Sequence, residues 1–147
     1  MATATLDYPP TVLMMEHAAR KPRERLRESN AFGNHPVFEE LREVWQECRK
    51  PGWDGHGATP VERAALEAAY RLLDMLPLGF PRPSISAQPD GLLTLEWYRT
   101  PTRNFSISID PIGCIHYAGL FGADEHYGTV AFFDGLPERI LRLASEV

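Results

Sequence analysis

Leu93-Thr94-Leu95-Glu96-Trp97, Phe105-Ser106-Ile107-Ser108-Ile109 and Ile115-His116-Tyr117-Ala118 decide the fold. In each stretch apolar and polar residues alternate with a period of two, which sends successive side chains to opposite faces of a strand. Asp110-Pro111-Ile112-Gly113 separates the last two stretches, and Gln88-Pro89-Asp90-Gly91 precedes the first. Both carry turn chemistry. Superposing the apolar faces sets a register: Trp97 opposite Phe105, Leu95 opposite Ile107, Leu93 opposite Ile109, and Ile109 opposite Ile115. Ile85 falls on a short strand ahead of these, and a further strand is expected near 127–133. The result is an antiparallel meander of four to five strands with one apolar face, and that face must be covered.

The flanking sequence supplies the cover. Val37, Phe38, Leu41, Val44, Trp45 and Cys48 recur at helical spacing, with Asn34 and Pro36 at the start and Pro51-Gly52 at the end. Thr59-Pro60-Val61-Glu62 reads as a capping box opening a helix over 60–76. The expected buried stripe of that helix is Val61, Ala65, Ala68, Leu72, Met75 and Leu76. A C-terminal helix after Asp134-Gly135-Leu136-Pro137 turns Leu136, Ile140, Leu143, Ala144 and Val147 inward. The fold class is two-layer α+β over residues 31–147. Residues 1–30 form a separate arm, with a short helix expected over Pro9–Arg20 and a charged stretch after it.

Between the two helices lies Gly52-Trp53-Asp54-Gly55-His56-Gly57-Ala58. Three glycines in six residues permit a backbone path with positive φ. Trp53 is expected to plug the core while Asp54 bonds loop amides. An anion cradle ahead of the helix and a metal site from Asp54 and His56 are the functional alternatives. This loop, a helix ending at Leu76-Pro77, then Leu95-Glu96-Trp97 and Arg103, resembles a family of small uncharacterised bacterial proteins over about residues 50–147. The resemblance implies one compact domain and a bacterial or phage source, and no activity.

The register predicted above also places Glu96 opposite Ser106, Thr94 opposite Ser108, and Ser108 opposite His116 on the polar face. A carboxylate, a serine and a histidine in one neighbourhood invite nucleophilic catalysis. A serine in mid-strand, with no oxyanion hole signalled, argues for a binding surface instead. Asp124-Glu125-His126 between Gly122 and Gly128 reads as a solvated hairpin loop.

Bulk properties narrow the function classes. The 147 residues hold 15 Lys and Arg against 20 Asp and Glu, a net charge of −5, which disfavours generic nucleic-acid affinity. Five of the basic residues (Arg20, Lys21, Arg23, Arg25, Arg27) lie in the arm, which is net +1, whereas residues 31–147 are net −6. Such an arm reads as a solvated helix or as a segment that docks on an acidic partner, with nucleic acid as the weaker reading because glutamates interleave and aromatics do not. Cys48 and Cys114 form no metal or redox motif, so they read as reduced, small hydrophobes. No stretch reaches the length of a membrane span, and a cytoplasmic location is expected.

The expectation is therefore a non-enzymatic bacterial or phage regulatory domain, without cofactor or metal. It would bind another protein in the manner of toxin-neutralising, immunity or anti-defence factors. A small hydrolase using the polar face is the alternative. Candidate binding residues are Trp53, Asp54, His56, Glu96, Arg103, Ser108, His116, Arg20, Arg23, Arg25 and Arg27.

Overall fold

A computed structural model describes residues 35–132 and 135–147; the expected Pro9–Arg20 helix, the Asn34 cap and the arm arginines lie outside them. The chain runs α1 (His35–Cys48), α2 (Arg63–Met75), β1 (Ser84–Ala87), β2 (Leu93–Thr100), β3 (Arg103–Ile109), β4 (Cys114–Phe121), β5 (Asp124–Ala131) and α3 (Glu138–Ser145). The strands form one antiparallel sheet in the order β1-β2-β3-β4-β5, with the helices on its apolar face. This is the α+β meander that the alternation predicts. The register agrees pair by pair: Trp97 with Phe105, Leu95 with Ile107, Leu93 with Ile109, and Ile109 with Ile115.

Sheet and helices share one core. Leu93, Leu95, Phe105, Ile107, Ile109 and Ile115 are fully buried against Val37 and Leu41 of α1, Ala65, Ala68, Ala69 and Leu72 of α2, and Ile140 and Leu143 of α3. The run of alanines on α2 lets its backbone approach the sheet closely. Arg99, beside a register break at the end of β2, and Arg103 donate to the main-chain oxygens of Val147 and Glu146. They sit where cations complement the carbonyl end of α3.

Three expectations are corrected. Residues 59–62 are not a capping box: α2 begins at Arg63, and Glu62 makes no side-chain cap bond. Instead, Thr59 N–H donates to Pro89 O (2.8 Å) and Val61 N–H to Cys48 O (2.8 Å), while the indoles of Trp53 and Trp45 donate to Thr59 O and Val61 O. Tertiary partners for this backbone outweigh one turn of helix. Met75, placed in the buried stripe, is 39% exposed, because the stripe runs through Ala65, Ala68, Ala69, Leu72 and Leu73 and leaves it at the margin. Asp124-Glu125-His126 is not a loop. It starts β5, paired with Phe121, Leu120 and Gly119, and the turn is Gly122-Ala123 alone. Gly122 takes φ +71°, which makes so short a connection feasible.

The cysteines are free. Cys48 is buried, and burial, then the adjacent Glu47 carboxylate, push its thiol above the ordinary value. Cys114 is half-buried on the outer face of β4. Since the thiolate is the nucleophile, a disulfide reagent at pH 8 is expected to label Cys114 well before Cys48. Equal rates would contradict the placement of α1.

Candidate functional site

The glycine loop is closed upon itself. Gly52, Gly55 and Gly57 take φ of +68°, +79° and +83°, a region that side chains with a Cβ rarely adopt. Gly52 N–H donates to Ala58 O (2.8 Å), and Asp54 Oδ1 accepts the amides of His56 (2.8 Å) and Ala58 (3.0 Å). With Gly55 N–H donating to Gly52 O (2.9 Å), the amides of residues 52, 55, 56 and 58 are all taken up by bonds inside the loop. The anion cradle is thus filled from within. Trp53 packs against the core and donates to Thr59 O at 2.9 Å. Among the described residues no three His, Cys, Asp or Glu side chains gather to hold a metal, and the His56 ring stays in solvent.

The amides of His56 and then Ala58 keep the Asp54 carboxyl below its ordinary value. Its stabilising effect is complete above the unfolded-state pKa, near 3.9, and is lost as pH falls through the lower folded value. Asp54→Asn is expected to flatten the acid limb of a stability-versus-pH curve. An unchanged limb would show that the carboxylate does not lock the loop.

The other candidate surface is the outer face of the sheet. Three rows cross it. Ser86, Thr94, Ser108, His116 and Thr129 make the first, Ser84, Glu96, Ser106, Ala118 and Tyr127 the second, and Tyr98, Asn104, Leu120 and Glu125 the third. The row through Ser108 is internally bonded. Gln88 Nε2 donates to Thr94 Oγ1 (2.6 Å) and Ser108 Oγ (2.9 Å), and the two hydroxyls lie 3.0 Å apart.

His116 takes a different set of partners from those its neighbours in the register suggest. One ring nitrogen, Nε2, is 3.1 Å from Asp110 Oδ2, and Nδ1 is 3.0 Å from Thr129 Oγ1. Both nitrogens are therefore committed away from Ser108. Asp110 is itself fixed, since its Oδ1 accepts the amides of Ile112 (3.0 Å) and Cys114 (2.9 Å). The chain Asp110–His116–Thr129 ties the turn before β4 to the outermost strand. Reading the sequence missed Asp110 and Thr129 as partners. The Asp-Pro-Ile-Gly turn was the available signal for Asp110, whose side chain reaches back over the turn to the strand it starts.

Of the other candidates, Glu96 lies exposed in the middle of the face with no ion-pair partner among the described residues. Arg103 projects from the opposite side of the sheet, onto α3. Trp53, Asp54 and His56 sit together in the glycine loop, apart from the sheet face. The apolar cleft between Phe38, Leu73, Leu76, Phe80 and Pro83 has about 10 Å³ of space, enough for one water at most.

The two edges of the sheet differ. At β1, Glu40 of α1 accepts Ile85 N–H (3.1 Å) and pairs with Arg82 (3.0 Å), so a helix covers that edge. At β5 the eight-residue edge carries exposed Tyr127. Compared with family models, with curated proteins and with solved structures, the chain matches none.

Proposed function

We propose that the protein is a non-enzymatic binding domain whose outer sheet face receives another protein. The observation that carries this reading is the pairing of a low-relief polar surface with two exposed aromatics. Ser106 and Ala118 lie between Tyr98 of β2, 59% exposed, and Tyr127 of β5, 76% exposed, and Ser84 and Ser86 of β1 extend the low surface past Tyr98. Tyrosine supplies large, rigid contact area with a polar tip and is enriched where protein partners dock.

The chemistry of the face supports binding over turnover. Ser108 is engaged with Thr94 and Gln88, and His116 with Asp110 and Thr129, so the serine lacks the adjacent base that activation requires. No helix among the described residues is long and apolar enough to cross a membrane. A bacterial or phage regulatory role of the toxin-neutralising or immunity kind fits such a surface, and the partner's identity is the experimental question.

The test is affinity capture on the immobilised full chain at low salt, repeated with Tyr98→Ser/Tyr127→Ser. A stoichiometric protein retained by the wild type and lost from the variant supports the reading. Retention unchanged by the variant, or a clean column, rejects it.

A further inference from the structure

Basic residues are segregated in this chain, and the pattern says what meets the outer sheet face. Ten of the 15 Lys and Arg lie among the described residues, and all ten sit in or face the helical layer. Arg42, Arg49, Lys50, Arg63, Arg71, Arg139 and Arg142 belong to the helices or the turn after α1. Arg82 pairs with Glu40 of α1, and Arg99 and Arg103, although strand residues, reach back to the end of α3. The outer face is left with Glu96 and Glu125, with Asp110 at one end, and with no Lys or Arg.

The remaining five cations all fall within Arg20-Lys21-Pro22-Arg23-Glu24-Arg25-Leu26-Arg27. Lys21, Arg23, Arg25 and Arg27 occupy alternate positions, with Pro22, Glu24 and Leu26 between them. In an extended chain such spacing would put four positive charges on one side. Arg27 is eight residues from His35, where α1 begins, a reach of about 26 Å when extended. Five strands at about 4.8 Å spacing span about 19 Å. Because α1 flanks the β1 edge from the helical layer, the path round that edge adds about 10 Å. Arg27 then reaches the near strands, and Lys21, about 46 Å from His35 when extended, reaches the far one.

We propose that Arg20–Arg27 binds the acidic outer face of its own sheet and competes there with the partner. The inference rests on the reading of that face as a binding surface, and adds to it a built-in competitor. Exposed ion pairs are individually weak and screened by salt. Tethering raises the local concentration of the segment to the millimolar range, which makes a weak contact count. A contact of this strength holds in the free chain and yields to a better ligand.

The experiment needs no partner, so it fails or succeeds separately from the capture test. Amide shifts of the full-length chain are recorded by NMR at about 20 mM and about 500 mM NaCl, where the screening length falls from about 20 Å to about 4 Å. The same is done for Arg23→Glu/Arg25→Glu/Arg27→Glu. In the wild type, the amides of Glu96, Ser106, Ala118 and Glu125 are expected to move with salt while those of α2 stay fixed. The triple variant is expected to show the high-salt positions throughout. Adding Glu96→Arg and Glu125→Arg to it is expected to restore the salt-dependent movement. Identical face shifts in wild type and triple variant would overturn the proposal. So would movement that depends on protein concentration, which would assign the contact to a second copy.

Discussion

Phe105→Ala is expected to cost about 3–5 kcal/mol of stability, the range for removing a buried aromatic from a well-packed core. Phe105 is fully buried on the central strand, with the rings of Trp97 and Tyr117 each 6.1 Å away. Directly across the register is Gly119, where an added Cβ would come within 2.9 Å of Phe105 Cδ1. The ring therefore occupies the space that a side chain at 119 would otherwise fill. Truncation leaves the cavity with glycine for a floor, and the paired strands on either side prevent collapse. Urea unfolding should show a lower midpoint with an unchanged slope. Ser106→Ala, one residue along on the outer face, is the control and should stay within about 0.5 kcal/mol of wild type. A loss below about 1 kcal/mol for Phe105→Ala would contradict the core described above.

The second large effect is on binding and not on folding. Tyr98 and Tyr127 lie on the outer face and contribute little buried area, so Tyr98→Ser/Tyr127→Ser should leave the unfolding midpoint almost unchanged. If the tyrosines anchor a partner, each acts as a hot spot of about 2–4 kcal/mol. At about 1.4 kcal/mol per tenfold, losing even one anchor weakens the complex by about 30- to 700-fold. Titration calorimetry with the captured partner reads this directly. A variant that binds within a few-fold of wild type places the contact elsewhere, with the Trp53 loop the next surface to mutate. Since Trp53 also packs against the core, its substitution needs a stability control that the tyrosines do not.

The sheet was readable because its signal is periodic and its errors are costly. A one-residue slip between β2 and β3 would turn Leu93, Leu95 and Trp97 outward together, so the alternation excludes odd slips and superposing the full apolar runs selects the register. Helix α1 was legible for the same reason, through Val37, Leu41 and Cys48 at helical spacing. The polar face was only half legible. Cross-strand neighbours such as Ser108 and His116 follow from register, but which atom bonds which depends on side-chain rotamers. His116 turns to Asp110 and Thr129, leaving Ser108 to Gln88, a residue outside the strands altogether.

Sequence by itself determined the fold class, the strand register, the buried face of α1 and the self-bonded glycine loop. Each of these is set by local chemistry: period, turn residues and the freedom of glycine to take positive φ. Tertiary structure decided the start of α2, where bonds to Cys48 O and Pro89 O keep 59–62 extended against its capping signal. It also decided that 124–126 are strand and not loop, because pairing with β4 satisfies their backbone. Above all it decided where the charges face. Arg99 and Arg103 turn to the end of α3 because unsatisfied helix carbonyls attract cations, and that leaves the outer sheet face to its carboxylates and tyrosines.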